Sequence, residues 1–233
     1  MRILALVPAR MGSKRLPRKN LLQMNGKPLF QWSIELAMNI PEISNVMVST
    51  DDPLIAKLSR GCGALVPWLR PSELASDTAR SVDVALHALD WYEKEHGQVD
   101  GLLLLQPTSP FRKLESVRRG IEIFRAAKGG SVIGVSPARS HPMWTYQIEG
   151  LEMYPFCIQE GVNGITKEVR SQALPKAYVI NGAFYLIDPK ELRKHDSFLS
   201  TNTSPLIMTD PLEEIDIDTL ADFRYAEYLK NIS

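Results

Sequence analysis

Short runs of consecutive apolar residues alternate along the chain with segments in which apolar residues recur every three or four positions. The runs predict buried β-strands and the spaced positions predict helices. The predicted strands are residues 2–7, 45–49, 64–66, 102–105, 131–135 and 178–187. The predicted helices are residues 29–39, 54–59, 79–95, 114–127 and 218–230. This alternation favours an α/β fold with a mostly parallel twisted sheet between helix layers.

The alternation is interrupted at about residues 140–177. Proline and glycine residues there separate short aromatic-rich pieces, which predicts a hairpin-like excursion from a single domain of residues 1–233. A long surface loop is the alternative. Exposed aromatic residues such as Trp144, Tyr146 and Phe156 favour a contact between two copies of the chain, hence a homodimer.

The composition excludes several classes of protein. The chain carries 27 Lys plus Arg and 27 Asp plus Glu, and a net charge of zero argues against binding nucleic acid or a membrane surface through bulk charge. Its apolar runs are far shorter than the roughly 20 residues of a membrane helix. No signal peptide is evident at the start, and Cys62 and Cys157 are the only cysteines. These features predict a cytoplasmic protein.

Charge is nevertheless distributed in blocks. Residues 1–34 contain seven basic residues and no acidic one, whereas residues 210–222 contain six acidic residues and no basic one. Blocks of this kind usually mark solvated faces. The positions of these two blocks relative to the predicted strands indicate chemistry as well.

The basic block contains a loop at residues 8–20, PARMGSKRLPRKN, directly after the first predicted strand. Ligands bind at the carboxyl ends of parallel strands. The loop carries five cations, Arg10, Lys14, Arg15, Arg18 and Lys19. Such a group of cations suits a triphosphate. The loop lacks G-x-x-x-x-G-K-[ST] and G-x-G-x-x-G, which disfavours a P-loop ATPase and removes the usual argument for a dinucleotide.

The acidic block contains the alternating sequence Ile-Asp-Ile-Asp at residues 215–218. If this piece is extended, Asp216 and Asp218 share one face. Two such carboxylates, together with substrate phosphates, suit Mg²⁺. The alternative for Asp218 is a helix N-cap, which would not explain the pair.

Further polar segments follow the other predicted strands. They are residues 49–52 (STDD), 69–79 (LRPSELASDTA) and 105–110 (LQPTSP), and all could face one crevice. Taken singly, they are ordinary turn or cap signals. Asn181 and Gly182 are more typical of a hairpin turn than of a ligand contact. No histidine is assigned as a catalytic base.

Together these segments resemble the CMP-sialic acid synthetases, the cytidylyltransferases that activate nine-carbon sugar acids. The matching pieces are residues 8–20, 48–51, 69–79, 105–110, 181–185 (NGAFY) and 215–218, in the family's order. Kdo cytidylyltransferases share the skeleton of the first loop, and the later segments separate the two families.

The resemblance implies a Rossmann-like nucleotidyltransferase fold and a reaction in which CTP and an N-acylneuraminate-like acid give the CMP-sugar and pyrophosphate, with Mg²⁺ as cofactor. It implies catalytic roles for Arg10, Lys19, Asp216 and Asp218, the two aspartates being the metal ligands. The implied CTP-binding residues are Arg10, Ser13, Lys19, Asn20, Arg70, Asp77 and Ala79. The implied sugar-binding residues are Gln106, Arg170, Asn181, Tyr185 and Phe198. Family members commonly dimerise through the mid-chain excursion.

The chain departs from the family where the sugar carboxylate is expected to bind. Residues 170–175 are RSQALP where many relatives have RRQxLP, and Trp144 stands where some have lysine. Legionaminic acid or another nonulosonate could therefore replace sialic acid. A Kdo cytidylyltransferase, a metal-dependent glycosyltransferase with Asp216 and Asp218 as its D-x-D, and a non-catalytic nucleotide-sugar-binding protein remain as alternatives.

Overall fold

A computed structural model describes residues 1–157 and 174–232 of the 233-residue chain. The strands are β1 (Ile3–Pro8), β2 (Gln23–Met24), β3 (Lys27–Pro28), β4 (Ile43–Ser49), β5 (Gly101–Leu104), β6 (Ser131–Pro137), β7 (Tyr146–Glu149), β8 (Glu152–Pro155), β9 (Tyr178–Ile187) and β10 (Thr203–Ile207). The α-helices are α1 (Leu29–Met38), α2 (Pro53–Gly61), α3 (Ser72–Ala75), α4 (Ser81–His96), α5 (Leu114–Ala127), α6 (Pro189–His195) and α7 (Leu220–Ile232). Single 3-10 turns form at Lys19–Leu21 and Pro142–Trp144.

Six strands form the central sheet in the order β10-β6-β9-β5-β1-β4. Strand β9 runs antiparallel to its neighbours β5 and β6, and every other pair in this sheet is parallel. The predicted mostly parallel α/β sheet is therefore confirmed. Because β1, β4, β5 and β6 point the same way, the segments that follow them emerge at one edge of the sheet.

The sheet is buried on both faces, as the uninterrupted apolar runs predict. In β1, Ile3, Ala5 and Val7 pack with α1 and α5 in one apolar cluster, whereas Leu4 and Leu6 pack with α4 in another. All five side chains are fully buried. Helices thus cover both faces of the central sheet.

Three local predictions need correction. Residues 64–66 form one isolated bridge, between Leu65 and Met47, rather than a strand. The last helix begins at Leu220 and not at 218. Asn181 and Gly182 form a bulge within β9 rather than a hairpin turn, since β9 continues to pair with β6 on both sides of them.

The register of β6 against β9 measures this bulge. Ile133 pairs with Tyr185 and Val135 pairs with Ile180, so two steps along β6 correspond to five along β9. Gly182 has a φ of 76°, in the left-handed region that glycine adopts without steric cost. The bulge lies next to the carboxyl end of β5, whose last residue, Leu104, pairs with Tyr185.

Strands β7 and β8 pair antiparallel as a separate hairpin in the mid-chain excursion. Its apolar side chains are largely exposed, with relative accessibilities of 71% for Ile148, 62% for Met153 and 71% for Phe156. Within residues 1–157 and 174–232, no helix is long and apolar enough to span a bilayer.

Candidate active site

Two cavities open at the carboxyl edge of the sheet. The first has a volume of about 390 Å³ and the second of about 710 Å³, and Gln106 lines both. Predicted residues that line the first are Arg10, Ser13, Lys19, Asn20, Arg70, Asp77, Ala79, Gln106 and Asp218. Predicted residues that line the second are Gln106, Asn181, Tyr185 and Asp216. All seven residues assigned to CTP thus line the first cavity, whereas two of the five assigned to the sugar, Asn181 and Tyr185, line only the second.

The basic loop is fixed to the end of β4. Its start is held by the Ala9 amide, which donates to the Ser49 carbonyl at 2.9 Å, and the Met11 amide donates to the Asp51 carboxylate at 2.8 Å. The buried side chain of Asn20 donates to the Arg10 carbonyl at 2.7 Å and so closes the loop. Asn20 therefore shapes the loop as well as lining the cavity.

Asp77 receives two of the loop's cations on one wall of the first cavity. Arg10 Nη1 lies 2.9 Å from Oδ1 of Asp77, and Lys14 Nζ lies 2.7 Å from Oδ2. Hydrogen bonds from Lys14 and then Arg10 lower the pKa of the Asp77 carboxyl, so it is ionised at neutral pH. Arg10 also donates to the Ala75 carbonyl at 3.2 Å.

Asp218 receives the other pair of cations. Lys19 Nζ lies 2.9 Å from Oδ1 of Asp218, and Arg15 Nη1 lies 3.1 Å from Oδ2. Lys19 donates a second bond to the Ile217 carbonyl at 2.8 Å, and its side chain is only 11% exposed. The basic and acidic blocks of the sequence are thus in direct contact.

Residues 215–218 alternate as the sequence predicts. Ile215 and Ile217 are buried, whereas Asp216 and Asp218 reach the two cavities. Asp216 keeps solvent contact at the cavity wall, but the surrounding protein displaces much of its water. This desolvation raises the pKa of Asp216; a hydrogen bond from the Thr108 side chain opposes the rise, and the charge of Asp218 adds to it.

Thr219, and not Asp218, caps α7. The Asp222 amide donates to Thr219 Oγ1 at 3.3 Å, and the Thr219 amide donates to the Asp222 carboxylate at 2.7 Å. This is a reciprocal capping arrangement. The N-cap alternative for Asp218 is therefore wrong, and its carboxylate faces Lys19 and Arg15 instead.

Arg70 holds the wall that follows β4. Its side chain is buried, and it donates to Ser49 Oγ at 2.9 Å and to the Leu74 carbonyl at 3.4 Å. Burial lowers its pKa to about 10, while the Asp51 carboxylate acts in the opposite direction. Arg70 thus keeps its charge at neutral pH at the base of the first cavity.

Sequence reasoning missed Arg112, a buried arginine just behind the loop of residues 105–110. It donates to the Gln106 carbonyl at 2.6 Å, to Ser33 Oγ at 3.0 Å, and to the carbonyls of Ala183 and Ser109. Burial lowers its pKa to about 9, and the Glu213 and Asp216 carboxylates oppose that shift. Arg112 ties the loop to the β9 bulge, and no local sequence signal distinguishes it from an ordinary surface arginine.

Glu213 is the second residue that sequence reasoning missed. Its buried carboxylate accepts hydrogen bonds from the Lys113 amide at 2.8 Å and from Ser116 Oγ at 2.9 Å, at the start of α5. This contact anchors the segment that carries Asp216. Nothing in the acidic block distinguishes Glu213 from its neighbours at the level of sequence.

The predicted sugar residues have different environments. The Asn181 amide is engaged internally, donating to Ser136 Oγ at 3.0 Å and accepting from the Ala183 amide at 3.0 Å. Burial raises the pKa of Tyr185. Phe198 is not among the described residues that line either cavity, and its ring packs against Tyr185 with centroids 5.5 Å apart. Arg170 lies outside the described residues.

The donor set at the junction suits a hard divalent cation. Asp216 and Asp218 supply oxygen ligands. The negative charge of Asp218 contributes to the raised pKa of Asp216, and a bound cation would offset the repulsion between the two carboxylates. In the described part of the chain no group of three or more His, Cys, Asp or Glu residues could hold a metal. Phosphate oxygens and water would have to complete the shell of Mg²⁺.

Known proteins match the chain closely. A family profile described as "Cytidylyltransferase" matches residues 4–140. CMP-N,N'-diacetyllegionaminic acid synthase of Legionella pneumophila is 38% identical, over 100% of this chain and 98% of that protein. N-acylneuraminate cytidylyltransferase of Streptococcus agalactiae serotype V is 30% identical, over 96% of this chain and 52% of that protein.

A solved structure has the same fold. CMP:2-keto-3-deoxy-manno-octonic acid synthetase complexed with CTP superimposes with a TM-score of 0.69 at 18% identity, covering 100% of this chain and 99% of that one. This confirms the predicted Rossmann-like nucleotidyltransferase architecture. With the profile and sequence matches, it shows that the chain belongs to the cytidylyltransferase family, in the nonulosonate group that its motifs resemble.

Proposed function

We propose that the protein transfers CMP from CTP to the anomeric hydroxyl of an N-acylated nonulosonic acid, releasing pyrophosphate. One observation carries this proposal: a cation-lined cavity and a second cavity share Gln106, with Asp218 lining the first and Asp216 the second. A nucleotide and a sugar acid bound in these cavities would meet at the aspartates.

The first cavity is the proposed CTP site. Arg10 and Lys19 are held by Asp77 and Asp218 at the cavity wall, and phosphate oxygens can replace these carboxylates as their partners. Ser13 and Asn20 lie beside the phosphates in this arrangement. Arg70, Asp77 and Ala79 lie toward the ribose and cytosine.

The reaction is an in-line displacement at the α-phosphorus. The anomeric oxygen forms the new P–O bond, the bond to the β-phosphate oxygen breaks, and pyrophosphate leaves with that electron pair. The protein contributes position and charge. Asp216, which lines the second cavity where the sugar would bind, is the proposed acceptor of the hydroxyl proton.

We further propose that Asp216 and Asp218 hold Mg²⁺. When bound, Mg²⁺ neutralises phosphate charge and polarises the oxygens of the reacting phosphate. Before the nucleotide binds, Lys19 and Arg15 neutralise part of the charge of Asp218 and hold its carboxylate at the first cavity.

Among the nonulosonates, we propose N,N'-diacetyllegionaminic acid as the sugar. Identity of 38% to the legionaminic acid synthase, against 30% to the N-acylneuraminate enzyme, favours a diacetylated legionaminic acid over sialic acid, which is the second candidate. A Kdo cytidylyltransferase and a non-catalytic nucleotide-sugar binder are the remaining alternatives.

We also propose a homodimer formed through the β7–β8 hairpin. Ile148, Met153 and Phe156 are each more than 60% exposed in the single chain, and a second copy would bury them. Light scattering across a range of concentrations checks this: the account predicts twice the chain mass, and Ile148→Asp should shift the mass toward the monomer.

The test of function is pyrophosphate release with CTP, Mg²⁺ and a panel of acids. The panel contains N,N'-diacetyllegionaminic acid, N-acetylneuraminic acid and Kdo. Release with either nine-carbon acid and little with Kdo supports the proposal. Preference for Kdo would select that alternative, and no release with any acid would favour the non-catalytic binder. Omission of Mg²⁺ with EDTA present should abolish release.

A further inference from the structure

The second cavity has a charge problem if its ligand is an acid. Three carboxylates line it, those of Glu214, Asp216 and Asp222. A carboxylate entering this cavity without a cationic partner would be repelled by like charges. Arg139 is the one Lys or Arg among the described residues that line it.

We propose that Arg139 binds the C1 carboxylate of the sugar acid and so selects an acid over a neutral sugar. This inference rests on the proposed function, since it assigns a specificity residue to the same reaction. It does not depend on Arg170, which lies outside the described residues.

The backbone that carries Arg139 is fixed at the ligand-binding edge. Arg139 follows β6 by two residues, and the Ala138 amide donates to the Ala177 carbonyl at 2.9 Å. Pro137 is paired with Tyr178 at the end of the sheet. These contacts hold the backbone at Arg139. Its side chain is 74% exposed, so the guanidinium can reach a ligand at the cavity.

The present partner of Arg139 is easily replaced. Its Nη2 lies 3.4 Å from Oε2 of Glu214, a long contact with an exposed arginine. Solvent-exposed ion pairs of this kind contribute little to stability. A substrate carboxylate with bidentate geometry would be a better partner for the guanidinium fork.

The chemistry of the sugar places its carboxylate near this arginine. In a nonulosonic acid the C1 carboxylate and the anomeric hydroxyl are attached to the same carbon. Glu214 and Asp216 both lie on the unburied side of a segment that alternates with buried Glu213, Ile215 and Ile217. Two residues along a chain span at most about 7 Å. If the anomeric hydroxyl is directed at Asp216, the C1 carboxylate of the sugar therefore lies within reach of the Arg139 guanidinium, which now contacts Glu214.

The test compares an acid with its neutral analogue. Steady-state rates would be measured with N-acetylneuraminic acid, with N,N'-diacetyllegionaminic acid and with the C1 carboxamide of each, at saturating CTP. For Arg139→Gln, the KM for the acids should rise about 10- to 100-fold, as expected for loss of a charge-assisted contact. The KM for CTP should not change, and the preference for acid over carboxamide should largely disappear.

Two further variants separate binding from structure. Arg118→Gln is the matched control. Arg118 lies on the outer helix α5, is exposed, and has its Nη2 3.2 Å from Oε1 of Glu42. It should leave both KM values unchanged. Glu214→Gln releases Arg139 from its carboxylate, so the KM for the acids should fall; a purely structural Arg139–Glu214 pair would instead make both variants equally harmful.

The outcomes distinguish the two levels of the proposal. An unchanged KM for the acids in Arg139→Gln, or a retained preference for acid over carboxamide, would overturn the assignment while leaving the proposed function standing. Equal damage from Glu214→Gln would also overturn it. No turnover by the unaltered protein with either nine-carbon acid would overturn the proposed function, and the assignment with it.

Discussion

Lys19 and Asp218 are 199 positions apart in the sequence, yet Nζ of Lys19 lies 2.9 Å from Oδ1 of Asp218. The contact joins the loop that follows the first strand to the segment that precedes the last helix. It is supported by a second bond from Lys19 to the Ile217 carbonyl at 2.8 Å. The basic block and the acidic block of the sequence are therefore paired directly at the candidate active site.

Lys19→Ala should weaken CTP binding. The variant removes a cation from the proposed triphosphate site and leaves Asp218 with Arg15 as its remaining cationic partner among the described residues. Loss of charge-assisted contacts predicts roughly a 10- to 100-fold rise in the Kd for CTP, measured by calorimetry without sugar. Lys14→Ala, at a side chain 79% exposed on the same loop, should have a smaller effect. An unchanged Kd in Lys19→Ala would remove Lys19 from the site.

Asp218→Asn should lower kcat by orders of magnitude. Its unfolding free energy should fall by less than that of a variant that loses a helix cap. The reason is that Thr219 provides the cap of α7, so Asp218 is free of that role. Thr219→Ala is the matched variant and should cost about 1 kcal/mol of unfolding free energy. It should reduce kcat far less than Asp218→Asn does.

Urea denaturation and steady-state kinetics on both variants provide the check. If Asp218→Asn turned over at nearly the normal rate, the proposed metal and charge role of Asp218 would be wrong.

Much of the fold follows from local sequence signals. Helix α5 has the predicted bounds, because its apolar spacing and the glycines after it agree with the packing. Asn181 and Gly182 were predicted to form a hairpin turn, and that prediction was wrong. Their local turn signal is overridden because β9 lies between β5 and β6 and pairs with both. The roles of Arg112 and Glu213 depend on partners that only the folded sheet brings near, such as Ser33 and Ala183 for Arg112.

Arg112→Met should destabilise the fold strongly. The variant leaves the carbonyls of Gln106, Ser109 and Ala183 without the guanidinium that now donates to them in a buried site. Unsatisfied buried groups predict a loss of about 3 kcal/mol or more in unfolding free energy, measured by urea denaturation. Arg118→Met, at an exposed arginine, should cost less than about 0.5 kcal/mol. A small effect at Arg112 would show that the loop and the bulge are held by other contacts.

Asp216→Asn should stabilise the metal-free protein at neutral pH while lowering kcat. Because the folded state raises the pKa of Asp216, it binds that proton more tightly than the unfolded chain does. Ionising Asp216 therefore costs folding free energy, and its contribution to stability falls as pH rises through the carboxyl range. The neutral amide removes this cost, so the gain in Tm should appear at about pH 7 and shrink toward about pH 4.

Asp210 provides a control with the opposite sign. A hydrogen bond from Lys113 lowers the pKa of Asp210, so its ionised form stabilises the fold above the unfolded pKa. Asp210→Asn should therefore lower Tm at about pH 7 and have less effect in acid. Thermal melts in EDTA at both pH values test the pair, and a drop in Tm for Asp216→Asn at neutral pH would contradict the assigned environment.

The fate of labelled phosphorus would show whether the protein transfers the α-phosphorus of CTP to a nine-carbon sugar acid. CTP labelled at the α- or the γ-phosphorus would be incubated with Mg²⁺ and N,N'-diacetyllegionaminic acid or N-acetylneuraminic acid, and the products separated. We expect the α-label in a sugar-linked CMP and the γ-label in pyrophosphate, and only when a nonulosonate is present. An α-label that stays in free nucleotide with every acid, or a γ-label transferred to the sugar, would contradict it.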